Sequence, residues 1–205
     1  MQARTTALGL TTLVPALLAL TACATGAPRN LEFSSSSPQA LVIVGTMSDT
    51  KQKYDLVLST YDVPNRRLTS NSFKGQYSAT HDPASPSTMQ YHVLALPAGT
   101  YIVKGLVIPK PLGGLDIVCL SEGTAHFELK PGEATYIGNT AWRSSQVIRM
   151  GFDDDAAAAA LKAYPNVHAQ PVHATLVNTT FRNGKDAFGI AEVCGGYYVD
   201  ELPKP

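Results

Sequence analysis

Leu96-Pro97-Ala98-Gly99-Thr100-Tyr101-Ile102-Val103-Lys104 reads as a strand, a tight turn and a second strand. Pro97 presets φ, and Gly99 supplies a backbone position that tolerates positive φ. Tyr101 and Val103 then fall on one side of the second strand. The same logic returns at Phe127-Glu128-Leu129-Lys130-Pro131-Gly132-Glu133-Ala134-Thr135-Tyr136-Ile137-Gly138. There Phe127 and Leu129 share a face, Pro131-Gly132 turns the chain, and Tyr136 re-enters the core. Two such units define an all-β pattern.

The flanking sequence extends it. Ala40 to Gly45 is a continuous apolar run suited to a strand buried on both faces. Tyr54 to Asp62 places Leu56, Leu58 and Thr60 together before Pro64-Asn65 stops the strand. Gln90 to Leu96 alternates with Tyr91, Val93 and Ala95 on one face, and Ser145 to Phe152 gives a further strand. Ser70 to Pro86 is polar and broken by Gly75, Pro83 and Pro86, which predicts a long loop. Gly113-Gly114 also marks a loop. Val172 to Val177 and Phe188 to Val199 are expected as closing strands, with Gly195-Gly196 as a bend or bulge. One helix is expected near residues 154–164. Asp153-Asp154-Asp155 favours its positive end, Ala156 to Ala163 are strong helix formers, and Pro165 ends it.

The 205 residues suit one domain, and 44% hydrophobic content is enough for a core. Fourteen Pro and sixteen Gly argue against a helical bundle. Sixteen Lys and Arg balance sixteen Asp and Glu, so no charge excess points to nucleic acid.

The two Pro/Gly turn motifs resemble the L-x-x-G-x-Y-x-V and F-x-L-x-x-G-x-x-x-Y-I-G signatures of transthyretin-like and carboxypeptidase-regulatory-like β-sandwiches. They are most similar to those of a family of uncharacterised bacterial lipoproteins carrying such a domain. The likeness covers about Leu41 to Phe152. It implies a mainly β fold, an immunoglobulin-like (transthyretin-like), seven-strand antiparallel sandwich, with no catalytic residues to carry over.

The N-terminus reads as an address. Arg4 precedes an apolar stretch from Ala7 to Leu20 that is shorter and more broken than the ~20-residue span of a membrane helix. Leu20-Thr21-Ala22-Cys23 then resembles the lipobox of bacterial lipoproteins. The implied modification is a diacylglyceryl group on the Cys23 thiol after removal of residues 1–22. Two or three acyl chains hold a protein where one does so only marginally. The competing reading is a plain secretory signal cut after Ala22 or Ala24, with Cys23 incidental. Ala24, a non-Asp residue, implies by the same resemblance delivery to the bacterial outer membrane, facing the periplasm or the surface. Residues 23–39, with Gly26, Pro28, Ser34 to Ser37 and Pro38, are expected as a flexible tether, and the β-sandwich domain as residues 40–200.

With Cys23 committed to lipid, Cys119 and Cys194 form an even pair in an oxidising compartment, which favours a disulfide. Its loop of roughly 75 residues would contribute about 4 kcal/mol in the chain-entropy picture. Two buried free thiols are the alternative.

No G-x-S-x-G, phosphate loop or dinucleotide fingerprint is present. The Asp153 to Asp155 run lacks the ligand spacing of a calcium loop. His168 and His173 share neither a helix nor a strand face, so no metal and no cofactor are expected. His92 and His126 are expected as solvent-facing or interstrand polar residues, and His81 has no evident role. Tyr197, Tyr198, Tyr164 and Trp142 are either half-buried sheet aromatics, the favoured reading, or a stacking surface for glycan or peptide.

The favoured expectation is a non-enzymatic module held to a membrane through Cys23 and serving an unknown envelope protein or glycan. A glycan-binding module is the first alternative. A hydrolase with a His/Asp or His/Cys site assembled by the fold is the second.

Overall fold

A computed structural model describes residues 26–65, 67–68, 77–120, 123–143, 146–181 and 199–201. Its strands, in chain order, begin with β1 (Gln39–Ser48), β2 (Tyr54–Asp62), β3 (Arg67–Leu68), β4 (Tyr77–His81) and β5 (Gln90–Pro97). They continue with β6 (Gly99–Pro109), β7 (Leu115–Cys119), β8 (Thr124–Leu129), β9 (Ala134–Arg143) and β10 (Gln146–Gly151). The single helix among the described residues, α1 (Asp154–Lys162), precedes β11 (Pro171–His173), β12 (Val177–Phe181) and β13 (Val199–Glu201).

Two sheets face each other as a sandwich. The first runs β10-β9-β1-β5, with β11 also on β9. The second runs β13-β12-β8-β6-β2-β3, with β4 on β2 and β7 on β6. Most pairings are antiparallel, as expected. The structure departs from a simple seven-strand antiparallel sandwich in that β1 and β11 both pair with β9 in parallel.

The unbroken apolar run of β1 has a direct cause. Ala40, Val42 and Val44 point between the sheets, among Leu56, Leu58, Leu94, Leu96, Tyr101, Leu106 and Phe127. Leu41 and Ile43 point the other way, where Ala157 and Leu161 of α1 cover the first sheet. A strand buried on both faces and paired in parallel loses the usual apolar–polar alternation.

Both Pro/Gly turns prove to be corners between sheets rather than hairpins within one. Pro97 ends β5 in the first sheet, and Gly99, at φ +148°, opens β6 in the second. Tyr101 Oη donates back across this corner to the carbonyl of Pro97 at 3.0 Å. Pro131-Gly132 returns the chain from β8 to β9. Gly132 has φ +70°, and a Cβ there would lie 2.2 Å from the Ser35 carbonyl oxygen. Tyr101 and Phe127, one from each motif, are register partners on β6 and β8 and stack at 6.4 Å.

Asp153 caps α1, its carboxylate accepting from Ala156 N at 3.0 Å. Ala157 and Leu161, one turn apart, form the buried stripe. Burying a side chain such as Leu161 contributes roughly 1.5–3 kcal/mol.

Three expectations are corrected. The expected tether of residues 23–39 is part of the domain from Ala27 onward. Phe33 is buried, and Ala27 and Leu31 pack beside it under α1. Backbone bonds fasten the segment: Ala27 N to Val93 O at 2.7 Å, Phe33 N to Asn166 O at 3.1 Å, His168 N to Phe33 O at 2.8 Å, and Gly132 N to Gln39 O at 2.8 Å. The Ser70–Pro86 loop contains β4, which pairs with β2. Its inward positions are Tyr77, Ala79 and His81, a short and weakly apolar set within a polar segment. The closing strand expected over Val172–Val177 splits into β11 in the first sheet and β12 in the second, with Ala174 and Leu176 packed against the core where the chain crosses. The expected strand from Phe188 lies outside the described residues up to Val199, where β13 begins.

Candidate functional site

The residues of the sequence reading distribute unevenly. Cys23, Cys194, Tyr197 and Tyr198 lie outside the described residues. Cys119 ends β7, half-buried against Tyr61, Leu68 and Ile102, and is disulfide-bonded. Trp142 sits in the inter-sheet core and presents no free ring face, while Tyr164, half-buried beside α1, keeps part of its ring open to the grooves on either side.

Four of the five histidines have defined surroundings. His81 on β4 and His92 on β5 come from opposite sheets and meet at Thr46 on β1. Thr46 Oγ1 lies 2.7 Å from His92 Nε2 and 3.3 Å from His81 Nδ1. One hydroxyl hydrogen can serve only one ring, so the other ring donates to the hydroxyl oxygen, an arrangement that two neutral imidazoles allow. Tyr54 stacks on His81 at 5.1 Å and donates to the Met47 carbonyl at 2.9 Å. Burial pushes the Tyr54 hydroxyl up to about 12. Burial, and then the neighbouring His81, hold His92 down at about 4. Burial lowers His81 too, and its Nε2 has no hydrogen-bond partner among the described residues. The cluster closes one end of the sandwich. It is interior polar structure, not an accessible site.

His126 on β8 is likewise buried, with Nδ1 2.6 Å from Thr179 Oγ1 of β12 and its ring 5.0 Å from that of Tyr61. The interstrand reading holds for His92 and His126, and the solvent-facing one does not. His92 lies on the inter-sheet side of β5 and His126 on the outer face of the second sheet, opposite Phe127, and in each case a hydroxyl on a neighbouring strand makes the imidazole tolerable.

His173 is different. It ends β11, is exposed, and places Nε2 2.5 Å from Asp154 Oδ1 in the first turn of α1. Its ring stacks on Phe152 at 4.0 Å and 11°. Beneath them lies Tyr136, which donates to Asn139 Oδ1 at 2.6 Å and accepts from Asp153 N at 3.0 Å. Burial raises the Tyr136 hydroxyl far above its ordinary value.

Two open depressions flank His173. One, of about 320 Å³, includes His126, Glu128, Lys130, Glu133 and Thr135. The other, of about 630 Å³, runs between α1 and β11. Beside them, Ile148 and Met150 on β10 and the adjoining Phe152 are each more than two-fifths exposed, as is Val172. This apolar strip continues along β10, at the end of the first sheet.

A carboxylate can orient an imidazole for general-base work. Among the described residues, however, no hydroxyl or thiol is hydrogen-bonded to His173, and no three His, Cys, Asp or Glu side chains group as a metal would need. The arrangement offers instead an exposed aromatic pair, an Asp hydrogen-bonded to its imidazole and an apolar sheet margin. Sequence reading missed this surface because Asp154 and His173 meet only through the fold. The run Met150-Gly151-Phe152 ahead of three Asp was its only signal.

No protein family matches the chain, and no curated protein or solved structure matches it significantly. The class the structure defines is a mainly β, two-sheet sandwich with one short helix. No helix among the described residues is long and apolar enough to cross a membrane.

Proposed function

We propose that this chain is a lipid-anchored envelope protein of the transthyretin-like lipoprotein type, with its sandwich serving as a non-enzymatic binding or structural module. The observation that carries this reading is Leu20-Thr21-Ala22-Cys23 at the end of the N-terminal apolar stretch. A diacylated Cys23 becomes the first residue of the mature chain, and Ala24 directs it to the outer membrane. The exposed margin of Ile148, Met150, Phe152 and His173 is the surface offered to an envelope partner, since apolar strips of this kind on a sheet edge mark interaction sites.

Density-gradient separation of bacterial envelopes tests the address. Full-length protein should band with the outer membrane and resist extraction at high salt, and Cys23→Ser should move it to the soluble fraction. Equal distribution of the two forms would refute the reading. If the anchor holds, Met150→Arg should abolish capture of the envelope partner while leaving membrane association intact.

A further inference from the structure

The chain is fastened to the domain only four residues after Cys23. Ala27 N donates to the carbonyl of Val93 on β5 at 2.7 Å, and Pro28 to Leu31 then form a turn against the same sheet. Four residues span at most about 14 Å when fully extended. The headgroup layer that the lipidated Cys23 would occupy is itself about 5–7 Å deep on each side of a bilayer. A lipid on Cys23 therefore keeps Ala27 within about 7–9 Å of the headgroup surface, so the face around Ala27 is the part of the domain nearest the membrane.

We infer that the face formed by α1, β5 and residues 27–31 is a bilayer-contact surface, with the anionic phospholipid headgroup layer as its partner. The inference rests on the reading that Cys23 carries lipid. The chemistry of the face suits that partner. A shallow groove there is lined by Arg29, Tyr91, Val93, Tyr164 and alanines of α1, and Arg29 is its sole charged residue. A guanidinium pairs with phosphate oxygens in a planar fork. Tyrosine is enriched at membrane interfaces, where its ring meets the acyl boundary and its hydroxyl stays hydrated. The other charges of α1, Asp154, Asp155 and Lys162, line the separate depression between α1 and β11. The interaction margin at β10 lies apart from this groove and stays accessible to the periplasm.

The test uses full-length protein, processed in a bacterium and reconstituted in vesicles of phosphatidylethanolamine and phosphatidylglycerol doped with a headgroup-nitroxide lipid. A fluorophore is placed at Ala159→Cys, on the proposed contact face, or at Leu112→Cys, a fully exposed loop position on the second sheet. Headgroup quenching should be several-fold stronger at position 159, and Arg29→Glu should reduce that excess. Mass spectrometry of the same preparations establishes whether Cys23 is acylated. Equal quenching at both positions on acylated protein would overturn the contact face while leaving the anchor standing. An unacylated Cys23 would overturn both.

Discussion

Acidification should destabilise this fold through His92, by an amount the structure sets. The His92 ring is packed between the sheets with Nε2 on Thr46, and burial holds its folded pKa at about 4 against an ordinary 6.5. The folded state therefore resists a proton that the unfolded chain accepts. The stability tied to neutral His92 is complete above about pH 6.5. It is lost as pH falls through the window from 6.5 to 4, and the loss levels off below pH 4. The gap between 6.5 and about 4, at about 1.4 kcal/mol per tenfold change in proton affinity, amounts to roughly 3 kcal/mol. His81, also lowered by burial, acts in the same direction. The measurement is the unfolding free energy of the mature chain from urea titrations at a series of pH values, for wild type and His92→Gln. Carboxylates titrate near pH 4 in both proteins, so the difference between the two curves is the readout. Wild type should lose roughly 3 kcal/mol more than the variant between neutral pH and pH 4. Parallel curves would refute the assignment of His92 as a buried neutral imidazole.

Gly132→Ala places a methyl 2.2 Å from the Ser35 carbonyl oxygen at a φ of +70°, so it should cost at least about 1–3 kcal/mol in thermal unfolding. It should also loosen residues 27–39, read as faster amide exchange at Leu41, whose N–H bonds to Glu133 O. Non-reducing peptide mapping should recover Cys119 joined to Cys194, and Cys119→Ala should lower stability by about 2–5 kcal/mol. A map joining Cys119 to Cys23 would contradict both that pairing and the lipid anchor.

Much of the fold is legible because it depends on local rules. The apolar run of β1, the alternation of β5 and the Asp-capped, Pro-terminated α1 all appear where their patterns place them. The two Pro/Gly turns were visible as turns, but not as corners between sheets. Whether the strand after Gly99 pairs with the strand before it depends on β2 and β8 taking its edges, which is a long-range outcome. Residues 27–39 looked like a tether because they carry few apolar side chains. Phe33 alone is buried, and backbone hydrogen bonds to Val93, Asn166 and Gly132 fasten the rest. β4 is illegible for a similar reason, since its inward face is only Tyr77, Ala79 and His81 within a polar, Pro-rich segment. The candidate surface was the least legible part. Asp154 and His173 are 19 residues apart in sequence and are joined only because β11 returns alongside β9. His81 and His92 converge on Thr46 from two different sheets, which no spacing rule anticipates.

The most direct measurement is the intact mass of the N-terminal peptide from full-length protein produced in a diderm bacterium. It should begin at Cys23 and carry a diacylglyceryl thioether, with or without an additional acyl group on its amine. A peptide that begins elsewhere, or a Cys23 whose sulfur is bare, would contradict the account.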